Sequence, residues 1–267
     1  MMEISMNSMK IGNNIFSWDE TGSGPAIVLL SGWCQDHRLF KTLVPELAKD
    51  HRVIRFDWRG HGDHRDHDGD FDINQQADDL VAFADALELE TFLPVSTSHG
   101  GWANIEVTDR LGSSRVPKSV VIDWIMNQPN ETFFELIDGI QDRQVWENGR
   151  AGFFDYWIGD TKNADIVNHV NNEMAGYSYE MWARSGREIG KAYRKWGSPM
   201  QRMAAMAENR PITHIYSQPF EPEYTQAQVD FAARNPWFQP KKLPGTTHFP
   251  TLEQPANVAN VISVFNA

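Results

Sequence analysis

Val95-Ser96-Thr97-Ser98-His99-Gly100-Gly101-Trp102 joins a β-branched run to a helical pattern that continues to Leu111. Small residues around a serine at such a strand-to-helix turn mark a nucleophile elbow, a tight bend that lifts the hydroxyl above a sheet edge. The usual pattern is G-x-S-x-G. Here Ser96 stands in the place of the first glycine, and Gly100 keeps the second.

On both sides of this turn, short apolar runs alternate with helical stretches. The expected strands are Ile15–Asp19, Ala26–Ser31, Arg52–Asp57, Thr91–Ser96, Ser119–Asp123 and His214–Ser217, with a last short one near Lys241–Leu243. Gln75–Leu87, Gly101–Leu111, Thr225–Arg234 and Pro255–Phe265 read as helices. Ala26–Leu30 and Ser119–Ile122 are apolar without interruption, as strands covered on both faces tend to be. This rhythm predicts an α/β architecture, a mostly parallel sheet with helices on both faces. After Asp123 it breaks: from Ile125 to about Pro199 the chain holds aromatic-bearing helical stretches and no convincing strand. The expected division is a core of residues 1–124 and 200–267 with a helical cap, 125–199, inserted over the C-terminal strand ends, where open α/β sheets bind ligands.

A chain of 267 residues can bury the core of one large α/β domain, and 41% hydrophobic with 22% charged residues excludes a disordered or membrane-spanning chain. The net charge of −12 repels phosphate backbones, which argues against nucleic acid and anionic membrane as partners. Cys34 is the single cysteine, so no intrachain disulfide is available, as suits a reducing compartment. The start, MMEISMNSMK, has no apolar signal-peptide core. A soluble, cytoplasmic protein is expected.

Three further segments carry chemistry. Leu30-Ser31-Gly32-Trp33 ends an early strand, where this architecture places one backbone donor of an oxyanion site. The residue after the elbow serine supplies the other, so the donors are the amides of Trp33 and His99. Pro244-Gly245-Thr246-Thr247-His248-Phe249-Pro250 follows the last strand, and a histidine there can reach Ser98. The acid is less usual. The loop after the penultimate strand offers only Glu221 and Glu223, in a Pro-flanked segment, whereas Asp123 directly follows an apolar run at the ligand end of the sheet. A carboxylate there is costly unless paired, so Asp123 is the better orienter of His248, and Glu221 the second choice.

Together these residues make the chain resemble the α/β-hydrolase-fold dioxygenases that open 3-hydroxy-4(1H)-quinolones without a cofactor. The resemblance runs nearly end to end. Its motifs are Ser31-Gly32-Trp33-Cys34-Gln35-Asp36-His37-Arg38, Asp57-Trp58-Arg59-Gly60-His61, Ser96-Thr97-Ser98-His99-Gly100 and Val121-Ile122-Asp123-Trp124. Trp196-Gly197-Ser198-Pro199, Ile215-Tyr216-Ser217-Gln218-Pro219 and Thr247-His248-Phe249-Pro250 continue it. The branch acting on 2-alkyl-3-hydroxy-4(1H)-quinolone signals and their unsubstituted relative matches best. The resemblance implies a His–Asp dyad, His248 with Asp123, that removes the 3-hydroxyl proton. It implies an Ser98 that binds substrate without attacking it, and ring opening by O2 with loss of carbon monoxide. It also implies that Trp157 lies over the substrate ring. Trp33 and His37 are expected to line the substrate cavity, and His99 to contact the substrate oxygen.

A dioxygenase invites a search for iron. His61-Gly62-Asp63 fits half of a facial triad, with His64 and His67 nearby, and Asp66, Asp68 and Asp70 have a calcium-loop spacing. Phe71 stands where that loop needs glycine, and the run HGDHRDHDGD reads as a solvated turn after a strand. No metal, flavin or nicotinamide is expected. Two rival readings stay open at this point: a serine hydrolase using Ser98, His248 and Asp123 as a nucleophilic triad, and a non-catalytic ligand carrier.

Overall fold

Along Ala26–Leu30, Ile27 and Leu29 face one side of a sheet while Val28 and Leu30 face the other, and each pair joins a separate apolar core. This strand therefore sits inside a three-layer stack. The computed structural model describes residues 6–66 and 69–267. Its strands are β1 (Asn7–Ile11), β2 (Asn14–Thr21), β3 (Ala26–Leu30), β4 (Arg52–Phe56), β5 (Leu93–Thr97), β6 (Ser119–Ile122), β7 (Ile212–Tyr216) and β8 (Phe238–Lys242). They form one sheet in the order β1-β2-β4-β3-β5-β6-β7-β8. From β4 to β8 every pairing is parallel, and the β1–β2 hairpin adds to the edge antiparallel. The expected mostly parallel sheet is present.

The helices are α1 (Val44–Leu47), α2 (Ile73–Ala86), α3 (Gly101–Arg115), α4 (Glu131–Gly139), α5 (Trp146–Ile158) and α6 (Ala164–Asn168). They continue as α7 (Tyr179–Trp196), α8 (Pro199–Ala204), α9 (Pro222–Arg234), α10 (Pro250–Glu253) and α11 (Pro255–Asn266). On one face Leu80 and Phe83 of α2 and Ala103 and Val107 of α3 meet Val28, Leu30, Ile54 and Phe56. On the other, Leu47 of α1 and Val258 and Ile262 of α11 meet Ile27, Leu29 and Val53. Among the described residues, the segment between β6 and β7 is helical throughout its regular structure. Its Phe133, Ile137, Phe153, Trp182 and Tyr193 continue the second core upward from the sheet.

Several expectations shift. β1 was not foreseen, because NSMKI is largely exposed and its apolar face is only Met9 and Ile11, half-buried against the core. β5, β7 and β8 begin and end a few residues from the expected positions, since the pairing register sets the ends rather than the apolar run alone. HGDHRDHDGD is not simply a solvated turn. His61 is fully buried, with Nδ1 2.9 Å from Arg59 O and Nε2 accepting the Cys34 N–H at 3.2 Å. His67 and Asp68 lie outside the described residues.

Candidate active site

Three turns at the C-terminal ends of parallel strands converge. Ser98 follows β5 with φ of +48°, and Asp123 follows β6 with φ of +47°. This left-handed backbone is uncommon for non-glycine residues, costs about 1–3 kcal/mol each and clusters at functional sites. Gly100 is needed because a Cβ there would lie 2.3 Å from the Ser31 carbonyl oxygen. Ser96 is tolerated at the place of the first elbow glycine because its buried hydroxyl has a partner: Asn104 Nδ2 donates to it at 2.8 Å. The same Nδ2 reaches Val120 O at 3.0 Å, and Asn104 Oδ1 accepts from Ser119 Oγ at 3.0 Å. One side chain of α3 thus ties β5 to β6.

His248 lies between the other two. Its Nδ1 is 2.9 Å from Asp123 Oδ1 and its Nε2 is 3.0 Å from Ser98 Oγ. Asp123 Oδ2 accepts the backbone N–H groups of Ser217 at 2.7 Å and Gln218 at 3.3 Å. These bonds satisfy the buried carboxylate and aim its other oxygen at the imidazole. The ring then carries its proton on Nδ1 and presents Nε2 as an acceptor. Trp157 lies nearly parallel to the imidazole, with centroids 5.2 Å apart and 18° between planes. The loop before His248 is braced by Glu253, which accepts the backbone N–H and hydroxyl of both Thr246 and Thr247.

Above these residues is a cavity of about 490 Å³. Its apolar walls include Ile125, Phe133, Leu136, Phe153 and Trp157. Ser98, His99, Asp123 and His248 line it where the strand ends converge, and further polar residues such as Asn127 and Gln218 also line it. A recess of about 20 Å³ adjoins it past Ser98, bordered by Trp33, Gln35, Ile137, Trp182 and Ile189. His99 borders both spaces. Burial, helped by the charge of His248, pushes its imidazole down to about 3, so it is neutral near pH 7. Gly32 approaches Ser98 so closely that a Cβ there would lie 3.1 Å from Ser98 Cβ, and the next residue in the chain is Trp33, whose backbone N–H is the expected donor. That N–H has no acceptor among the described residues.

Six of the seven residues singled out from sequence therefore meet: Ser98, Asp123, His248, Trp157, Trp33 and His99. His37 does not. Its Nδ1 is 2.6 Å from Asp57 Oδ2 and its backbone N–H donates to Asp57 Oδ1 at 2.7 Å, away from both spaces. Glu221 and Glu223 line the outer cavity as exposed residues, while Asp123 occupies the orienting place. Gln218, Tyr156, Phe133 and Gln35 also line the site; Gln35 and Gln218 lie inside motifs quoted from the sequence, but none of the four was given a role there. Gln218 had one signal, its place after β7; its Nε2 donates to the carbonyls of Tyr156 and Thr246 at 3.3 and 3.1 Å. Among the described residues, no three His, Cys, Asp or Glu side chains gather as a metal-binding group. Asp70 instead pairs with Arg184 and Arg187.

Residues 27–261 match the model of the alpha/beta hydrolase family. A 1H-3-hydroxy-4-oxoquinoline 2,4-dioxygenase of Pseudomonas putida is 48% identical over 262 residues, covering 97% of this chain and 99% of that protein. A 2-heptyl-3-hydroxy-4(1H)-quinolone dioxygenase of Mycobacteroides abscessus is 44% identical over 91% of both chains. The solved structure of an AqdC variant, in complex with its substrate, the Pseudomonas quinolone signal, superposes with a TM-score of 0.95 at 41% identity, covering 98% of this chain and 99% of that one. A thermophilic esterase at 18% identity shares the fold alone. With such identity along its whole length, and with the elbow, acid and histidine turns brought together, the chain belongs to the alpha/beta hydrolase family and, within it, to the 3-hydroxy-4-quinolone 2,4-dioxygenases.

Proposed function

We propose that this chain is a cofactor-independent dioxygenase of 3-hydroxy-4(1H)-quinolones, with or without a 2-alkyl chain. It uses O2 and yields an N-acylanthranilate and carbon monoxide. The observation that carries this reading is the Asp123–His248 pair facing a largely apolar cavity in a chain 48% identical to a named quinolone 2,4-dioxygenase. Geometry alone would serve a serine hydrolase equally well; the relatives separate the two.

In this reading His248 Nε2 takes the 3-hydroxyl proton, and Asp123 stabilises the resulting imidazolium. The Trp33 and His99 amides stabilise negative charge on a substrate oxygen, an oxyanion site applied to a different reaction. Ser98 hydrogen-bonds the substrate and remains uncoupled from any acyl group. The electron-rich anion reduces O2 directly. Both oxygen atoms enter the organic product through a peroxide at C2 that attacks C4, and C3 leaves as carbon monoxide. The small recess beside Ser98 has room for a diatomic molecule, and the main cavity has the size of sites for drug-sized ligands, enough for the ring and an alkyl chain. Residues 125–199 act as the cap over a core of 1–124 and 200–267. The partners are the quinolone and O2, with nucleic acid and membrane disfavoured by the net charge of −12, and the place of action is the cytoplasm. No helix among the described residues is long and apolar enough to cross a membrane.

The test is anaerobic mixing with 3-hydroxy-4(1H)-quinolone. Appearance of the bound anion without turnover, followed on aeration by bleaching and one carbon monoxide per substrate, supports the proposal. Absence of carbon monoxide, with covalent labelling of Ser98 by a fluorophosphonate, would establish the hydrolase instead.

A further inference from the structure

Trp33 is buried beside Ser98, and its indole Nε1–H has no hydrogen-bond partner among the described residues, so ring packing is what they offer to hold it. Phe71 lies parallel to it, with centroids 5.5 Å apart and 6° between planes, and His61 meets it at 6.0 Å. Phe71 in turn carries the guanidinium of Arg184, 4.5 Å from its centroid. Arg184 belongs to α7, in the helical segment between β6 and β7, yet it is anchored to the loop after β4: Nε donates to Asp70 Oδ1 at 3.0 Å and a terminal nitrogen to Gly69 O at 2.9 Å. Arg187 shares Asp70, and Arg59, paired with Asp79, lies 5.7 Å from the Phe71 centroid.

The backbone on either side of Trp33 is fixed as well. The Gly32 N–H donates to Gln35 Oε1 at 2.9 Å and Thr97 Oγ1 at 3.0 Å, and Cys34, at φ of +58°, donates its N–H to His61 Nε2 at 3.2 Å. With both neighbouring peptides pinned and the ring resting on Phe71, the Trp33 Cα is held on three sides, which limits how its amide can settle.

We infer that Arg184 and Phe71 are positioning residues that hold the Trp33 backbone N–H in its charge-stabilising direction through a stack of guanidinium, phenyl and indole. The inference rests on the dioxygenase reading above. It makes α7 part of the oxyanion site at one remove, although Arg184 is absent from the walls of the cavity.

The experiment compares wild type with Arg184→Met, Arg184→Lys, Phe71→Leu and Asp70→Asn. For each, the anion fraction of anaerobically bound 3-hydroxy-4(1H)-quinolone is read by absorbance at one pH, together with kcat, KM and Tm. Arg184→Met should lower the anion fraction and reduce kcat about tenfold, less than the full loss of an oxyanion donor, with KM nearly unchanged. Arg184→Lys, which keeps a cation for the ring, should recover part of both. Asp70→Asn alters an exposed carboxylate and should show a smaller loss of the same sign, so it carries the test if Arg184→Met does not fold. An anion fraction equal to wild type in every folded variant, with only Tm reduced, overturns the positioning role and leaves a packing role. A wild type that binds the quinolone without forming the anion overturns the dioxygenase reading itself.

Discussion

The His248 backbone N–H donates to the Trp157 carbonyl oxygen at 2.8 Å while the two rings lie face to face. The base of the site is therefore held from below by Asp123 and from above by the last turn of α5. The backbone contact survives any substitution of the indole, and the stack does not.

Replacement of Trp157 separates those contributions. Trp157→Ala should lower kcat/KM on the order of tenfold or more, because an aromatic pair contributes about 0.5–1.5 kcal/mol and the substrate loses a wall as well. Trp157→Phe should retain most of the activity. Equal losses in both variants, measured by steady-state kinetics, would show that ring stacking is not what places His248.

The three converging side chains should rank in a definite order. His248→Ala should lose on the order of 10²–10⁴-fold in kcat as a general base, and Asp123→Ala a smaller but large factor as the imidazole loses its orienter. Ser98→Ala should retain substantial kcat and mainly raise KM, as expected for a uniform binding contact. The His248→Ala deficit should shrink as pH rises and solvent supplies the substrate anion. A Ser98→Ala loss as deep as that of His248→Ala is the signature of a nucleophilic triad.

Chelation should leave turnover unchanged. Ser98, His248 and Asp123 are hydrogen-bonded to one another, and both ring nitrogens of His61 are occupied by backbone groups. Loss of activity on exhaustive dialysis against a chelator, with recovery on adding iron or copper, would overturn the cofactor-free mechanism.

Acid should destabilise the fold well before carboxylates titrate. Burial pushes His61 and His214 down to about 4 and His99 to about 3. His61 and His214 use Nε2 to accept backbone N–H groups, from Cys34 and Trp124, which a protonated ring cannot do. Below about pH 6.5 the unfolded chain binds protons that the folded chain refuses, so stability rises with pH to that point and falls as acid is added. The slope is at most about 1.4 kcal/mol per pH unit for each such histidine. Urea unfolding at pH 7.5 and pH 5 measures it, and equal stability at both values would count against neutral burial of these rings.

The fold was legible because its central strands are apolar without interruption and each is followed by a helical pattern. The three chemical residues were legible for the same reason: Ser98, Asp123 and His248 each follow a strand, so topology alone brings them to one sheet edge. The edge hairpin was not, since β1 buries little and its alternation is confined to Met9, Lys10 and Ile11, too short to stand out. His61 was hidden in a hydrophilic run although the loop turns it inward, and His37 was misplaced because proximity in sequence to Trp33 says nothing of the Asp57 carboxylate across the loop. Cavity walls such as Phe133 and Gln218 come from segments far apart in sequence, so only tertiary packing reveals them.

Asn104 makes two positions of this chain depend on one another. Its Nδ2 divides two protons between Ser96 and Val120, so returning position 96 to the glycine of the ordinary motif would strand a buried donor, at a cost of about 1–3 kcal/mol. Replacing Asn104 alone would strand the Ser96 hydroxyl and release the Ser119 and Thr108 hydroxyls it now receives. Serine and asparagine are thus interdependent in this fold: each supplies the partner that makes the other inexpensive to bury, so the two positions are expected to change together rather than singly.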